Sequence, residues 1–189
     1  MPRGYLRIIG GEWRGRRIKI ADEKDLRPTP DRVRETLFNW LMDKIQGAHC
    51  LDAFAGTGAL GFEALSRGAA QVVMLDQSMT VVRALQQAAE ILGAENIVIA
   101  RARMPHQFDF LAHPFDIVFL DPPYQSDLLL PSCFWLEEQN YLADRAYIYL
   151  EAQRQIQDNE LPSGWHIFKS QRAGQVYYHL AERKHHEAK

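Results

Sequence analysis

Cysteine is scarce in this chain of 189 residues: Cys50 and Cys133 are the only two. They provide neither a disulfide framework nor the paired C-x-x-C spacing of a zinc site, and a reducing, cytosolic (cytoplasmic) setting is expected. The seven histidines show no H-x-x-x-H or mixed Cys/His spacing, so no metal is expected, and His185-His186 reads as a frayed tail. Long hydrophobic runs are missing too. The most apolar stretches, Val72–Leu75 and Ile117–Leu120 with their neighbours, fall far short of a bilayer span. The arginine-bearing N-terminus lacks the apolar stretch of a signal peptide, so no membrane partner is expected. No repeat, linker or low-complexity segment stands out. What is present, 47% hydrophobic and 11% aromatic residues, suits a single sizeable core and excludes a disordered or fibrous chain.

The net charge of −2 conceals an uneven distribution. Residues 1–19 carry Arg3, Arg7, Arg14, Arg16, Arg17 and Lys19 against Glu12 alone, a net of +5 that leaves the remainder at −7. A cationic end on an acidic body suggests a polyanion held by one face; a solvated tail is the bland alternative. Tyr5–Ile20 alternates apolar and basic residues around Gly10-Gly11 and Gly15, which predicts a short β-ribbon with Trp13 among its arginines. From Thr29, a possible cap, and Pro30, suited to a first helical position, Val33, Leu37, Trp40, Leu41 and Ile45 recur at helical spacing. That helix should end near Gly47. Residues 1–47 are thus expected to extend a main domain of residues 48–189.

Strands and helices then alternate: strand Cys50–Phe54, helix Ala59–Ser66, strand Gln71–Asp76, helix Ser78–Leu92 closed by Gly93, and strand Ile97–Ala100. Phe115–Asp121 reads as a buried strand, Asp127–Glu138 as a helix and Ala146–Glu151 as a strand. The pattern predicts an α/β fold, a parallel sheet with helices on both faces. Trp165–Ser170 and Gln175–Ala181 break it, and should form an antiparallel hairpin at the sheet edge.

Leu51–Gly61 places G-x-G-x-x-G between a strand and a helix, with Asp76 after the next strand, where a carboxylate can accept from ribose hydroxyls. A nicotinamide dinucleotide and S-adenosylmethionine compete for such a loop. Asp52, at the end of the incoming strand, is unwelcome beside a pyrophosphate but suits a cofactor carrying an ammonium and a sulfonium. Asp121-Pro122-Pro123-Tyr124 closes the fourth strand at the same sheet edge. Its prolines hold the backbone extended and direct the carbonyls. Asp121 and the Pro122 carbonyl can then converge on an NH₂ group while Tyr124 offers a face to a planar base or amide. Cysteine-based attack on a pyrimidine is disfavoured, because Cys50 and Cys133 both read as core residues.

These motifs, in this order, resemble S-adenosylmethionine-dependent N-methyltransferases: D-x-F-x-G-x-G (Asp52, Phe54, Gly56, Gly58), Asp76 after strand two, and D-P-P-Y. More narrowly, Arg7–Arg16, Leu26-Arg27-Pro28-Thr29, Arg32, Arg34–Leu41 and Gly174-Gln175-Val176 resemble the RsmD family over nearly the whole chain. That resemblance implies a Rossmann-like class I methyltransferase with a seven-stranded, mostly parallel sheet and a reversed last strand. It also implies methylation of a guanine N2 in bacterial 16S rRNA, within small-subunit particles; a monomer is expected. Asp52, Phe54, Gly56, Gly58, Asp76, Arg27 and Thr29 would meet the cofactor; Asp121, Pro122 and Tyr124 would be catalytic. Arg7, Trp13, Arg14, Arg16 and Arg17 would grip the RNA, so removing residues 1–19 should leave the sheet folded. After the third strand this chain has Ala100-Arg101-Ala102-Arg103-Met104 where the family has an Asp bordering the adenine. Adenine N6 or a glutamine amide would suit Asp-Pro-Pro-Tyr equally, and a non-catalytic RNA-binding module is the reading from another class.

Overall fold

The computed structural model describes residues 4–23, 26, 28–106, 113–124 and 126–184; Arg3, Arg27 and His185-His186 lie outside the described residues. The elements run β1 (Tyr5–Arg7), β2 (Arg17–Lys19), α1 (Asp31–Trp40), β3 (His49–Asp52), α2 (Ala59–Ser66), β4 (Gln71–Asp76), α3 (Met79–Leu92) and β5 (Ile97–Arg101). They continue with β6 (Phe115–Leu120), α4 (Leu129–Glu138), β7 (Leu142–Ala152), β8 (Trp165–Ala173) and β9 (Val176–Lys184). β1 and β2 pair as a separate antiparallel ribbon.

The other strands form one sheet in the order β5-β4-β3-β6-β7-β9-β8, parallel from β5 to β7, with β9 antiparallel to both its neighbours. From β3 the chain winds outward through β4 and β5, then returns to lay β6 on the other side of β3. The topological switch point therefore falls between the carboxyl ends of β3 and β6, where an open α/β sheet leaves a crevice. The central strands are apolar runs because both faces are covered. Phe38, Phe62, Met74, Phe119 and Tyr149 belong to the core on the α1, α2 and α3 side. Leu51, Val73, Leu120, Cys133 and Leu136 belong to the α4 side.

The N-terminal segment shares the first of these cores, through Leu6, Ile8, Trp13 and Ile18. Polar groups of α2 hold it down. Ile9 N–H donates to Glu63 Oε2 at 3.0 Å, Trp13 N–H to Ser66 Oγ at 2.9 Å, and Ser66 Oγ to the Gly10 carbonyl at 2.6 Å. Arg34, 1% exposed, donates to Asp31 Oδ1, the Arg7 carbonyl and Glu63 Oε2, while Arg67 Nε bonds the other Glu63 oxygen at 2.8 Å. A buried charge survives only when compensated in this way. The described N-terminal residues, from the ribbon through α1, are built into the body of the protein rather than appended to it.

Boundaries differ from expectation where packing outweighs local signals. α1 stops at Trp40, although Leu41 and Ile45 remain buried, because the chain must turn to enter β3; Gly47 N–H already bonds the Gly68 carbonyl. Pro30, not Thr29, stands at the helix cap, and no side chain caps it. β7 begins at Leu142, four residues early, since pairing with Phe115 and with β9 supports polar Asp144 and Arg145 as strand. The hairpin turns on Gly174-Gln175 alone, because Ala173 pairs with Val176.

Candidate active site

The glycine loop is a continuation of the sheet. Ala53 N–H bonds the Phe119 carbonyl at 3.1 Å and Ala55 N–H the Leu75 carbonyl at 2.8 Å, so the loop leaves the switch point held from both sides. Gly58, at φ 76°, turns the chain into α2, and a Cβ there would lie 2.6 Å from the Phe62 ring and 2.7 Å from Leu85. A Cβ on Gly61 would strike Met74 at 2.2 Å, so this glycine lets α2 lie close on β4. Phe54 is half-buried against the α4-side core.

Asp52 is 2% exposed and accepts from Gly61 N–H at 3.0 Å. Burial, with the charge of Asp76 adding to it, pushes its carboxyl up to about 7. Asp76 accepts from Gly56 N–H at 3.0 Å and Ser78 N–H at 2.8 Å, tying the glycine loop to the turn after β4. Burial raises it as well, the two N–H groups oppose the rise, and Glu23 adds to it. Glu23 in turn accepts from the Ser78 hydroxyl.

Asp121 leaves β6 beside this loop, half-buried, and accepts from Thr29 Oγ1 at 3.4 Å. Burial first, then the charges of Glu151 and Asp52, hold it well above the ordinary carboxylate range. Pro122 is half-buried beside it, and Tyr124 is exposed with its hydroxyl donating to Gln175 Oε1 at 3.1 Å, so the β8–β9 turn reaches the Asp-Pro-Pro-Tyr loop. Asp52, Phe54, Gly56, Gly58, Asp76, Thr29, Asp121, Pro122 and Tyr124 thus gather around one crevice, while Arg27 lies outside the described residues. Glu151, Tyr149 and Gln175 join them without having been singled out as site residues. An acid ending the strand beside Asp121 was the available signal for Glu151. Arg101, at the end of β5, sends Nε to the Gln77 carbonyl at 3.0 Å.

Among the described residues, acidic side chains without a neighbouring cation dominate the crevice, and the carboxyls of Asp52, Asp76, Asp121 and Glu151 are all raised. A cationic ligand would relieve that repulsion, and a phosphate would aggravate it. The donor set fits a cofactor with an ammonium and a sulfonium. Among the described residues no His/Cys/Asp/Glu group suits a metal ion, and no helix is long and apolar enough to cross a membrane.

The basic residues of the ribbon divide. Arg7, Arg14, Arg16 and Arg17 are all exposed, but Arg7 and Arg16 have protein partners. Arg7 pairs with Asp31 at 3.0 Å, and Arg16 bonds the carbonyls of Ile91 and Leu92 at the end of α3. Trp13 is 9% exposed, so its ring is a core side chain and not a platform for a base.

Seven strands in this order, one of them reversed and slotted second from the edge, make the class I methyltransferase variant of the Rossmann-like fold. The family model of conserved hypothetical protein 95 matches residues 6–182, and the chain belongs to that family. It is 45% identical over 184 residues to ribosomal RNA small subunit methyltransferase D of Escherichia coli K12, covering 96% of this chain and 91% of that one. To the protein of the same name in Haemophilus influenzae it is 42% identical, covering 94% of each chain. The solved structure of yhhF from Escherichia coli superposes with a TM-score of 0.84 at 43% identity, covering 96% of this chain and 99% of that one.

Proposed function

We propose that the protein, as a monomer in the cytoplasm, transfers a methyl group from S-adenosylmethionine to the exocyclic N2 of a guanine in 16S rRNA of small-subunit particles. The observation that carries this reading is the position of Asp121-Pro122-Pro123-Tyr124 at the end of β6, across the switch point from the loop that Asp76 holds by Gly56. The names of the relatives support the RNA class. Asp76 would receive the ribose, and Asp52, Phe54, Gly56, Gly58, Arg27 and Thr29 would surround the rest of the cofactor. When bound, the cofactor supplies an electrophilic methyl carbon. The lone pair of guanine N2 is delocalised into the ring, so the chain must turn that nitrogen toward tetrahedral geometry. Acceptors at Asp121 and the Pro122 carbonyl do this by taking its two hydrogens, and the exposed Tyr124 ring stacks on the extruded base. Stacking of about 1–3 kcal/mol offsets much of the few kcal/mol that extrusion costs.

The test is methylation of small-subunit particles from cells lacking the enzyme, with isotope-labelled cofactor and mass analysis of the nucleosides. N2-methylguanosine is the expected product. N6-methyladenosine would reassign the base, and label in no nucleoside would remove the RNA reading altogether.

A further inference from the structure

Asp121 has a neighbour of its own kind. β6 and β7 are parallel with Leu120 opposite Leu150, so the residues that follow, Asp121 and Glu151, emerge side by side on one face of the sheet. Tyr149 lies on that face two residues before Glu151, Tyr178 of β9 pairs with Glu151, and Asp52 of β3 pairs with Phe119. Those groups, with Thr29 above Asp121, are what the pair faces, and no cation acts on either carboxyl among the described residues. The two acids are held unequally. Tyr149, fully buried, donates its hydroxyl to Glu151 Oε2 at 2.7 Å, whereas Asp121 receives a 3.4 Å bond from Thr29.

We propose that Glu151 is a positioning residue acting through Asp121: the two carboxyls share one proton, with the charge on Glu151 and the proton on Asp121. Two adjacent carboxylates on which no cation acts among the described residues do not both ionise in the protein without its ligands, and the shorter, buried hydrogen bond decides which keeps the charge. Asp121 then presents its carbonyl oxygen to one N–H of the target amine and its O–H to Glu151. The inference rests on the proposed N-methyl transfer. There, the N2–CH₃ bond forms as the S–CH₃ bond breaks with its electron pair left on sulfur. The methylated nitrogen gives one proton to the Asp121 carbonyl oxygen while the proton already on Asp121 moves to Glu151, which releases it to water. Asp121 ends as it began, and Glu151 is where the proton leaves.

The experiment is a carboxyl ¹³C NMR titration of the full-length protein without substrate, for wild type, Glu151→Gln and Tyr149→Phe, paired with pH profiles of single-turnover methylation and with cofactor affinity. In wild type, Asp121 and Glu151 should each report two coupled steps separated by more than about one pH unit. Glu151→Gln should collapse these to one Asp121 step, about one unit or more below the upper wild-type step, and lower the alkaline limb of the rate profile with it. The rate should fall by roughly tenfold or more, with cofactor affinity within about twofold, because the replaced group acts through Asp121 and is assigned no contact with the cofactor. Tyr149→Phe should shift the Glu151 titration and the acid limb upward, the opposite direction, since Glu151 loses its donor. An Asp121 titration that is the same in wild type and Glu151→Gln overturns the pairing, whatever the RNA result. Absence of methylation by wild type would instead sink the proposed function, with the titration still deciding whether the proton is shared.

Discussion

Asp52 shows how one side chain sets stability against function. In the folded chain burial favours its protonated form up to about 7, whereas in the unfolded chain it titrates near 4. The folded state therefore binds that proton more tightly. The stabilisation is complete below the unfolded value and is lost as pH rises through about 7. Asp52→Asn keeps an oxygen for Gly61 N–H and removes the buried charge. Urea melts at pH 8 should show the variant more stable by about 1–4 kcal/mol, with the gap closing near pH 4. A wild type as stable as the variant at pH 8 would show that Asp52 carries no such strain. Asp76 works in the other sense, because its two backbone N–H partners hold the glycine loop in place. Asp76→Ala should weaken cofactor binding by roughly 1–3 kcal/mol and lower the melting temperature as well. Calorimetry returning the wild-type affinity would take Asp76 out of the site.

The ribbon of β1 and β2 looks detachable when its sequence is considered alone, and in the fold it is not. Leu6, Ile8, Trp13 and Ile18 complete the core over α2 and α3, and Ser66 accepts from Trp13 N–H while donating to the Gly10 carbonyl. Removing residues 1–19 would expose that apolar surface and leave Glu63 without Ile9 N–H. Circular dichroism should therefore find the truncated protein unfolded or aggregated, in place of the intact sheet that the residue pattern predicts. Ser66→Ala, which deletes two buried hydrogen bonds, should cost about 1–3 kcal/mol. Arg14→Ala and Arg17→Ala, at exposed positions, should stay within about 0.5 kcal/mol of wild type. A truncated chain with a cooperative melt would show that the ribbon only rests on the sheet.

For the whole molecule, raised carboxyls crowd the crevice, and the N-terminal ribbon carries exposed arginines. On the proposed reading, RNA is gripped away from the crevice and only the target base is admitted to it. Under the proposed function, log affinity for small-subunit rRNA should fall with log salt, because phosphate contacts release counterions. Arg14→Ala with Arg17→Ala should flatten that slope by somewhat under one unit per lost contact while leaving cofactor affinity alone. Trp13→Phe should not change the slope, since the ring is packed inside. An unchanged slope in the double arginine variant would place the RNA on another face.

Much of this protein is set by signals that act within a few residues. The strand-loop-helix at the glycine loop, the α3 helix from the Ser78 cap to Gly93 in the left-handed conformation, and the Asp-Pro-Pro-Tyr turn depend on local backbone preferences, and so the sequence by itself determined them. The parallel sheet followed from alternating strand and helix patterns, since short connections and right-handed crossovers leave few other arrangements. Other features depend on residues far apart in the chain, and only the tertiary structure decided them. Thr29 could have capped α1, but packing brings its hydroxyl to Asp121, 92 residues away. Trp13 reads as an exposed ring among arginines until α2 covers it. Asp121 and Glu151 become neighbours through strand register, and a slip of one residue would send one of them to the opposite face. Register is fixed by the fit of two whole faces in the core, and no short stretch of sequence contains that information.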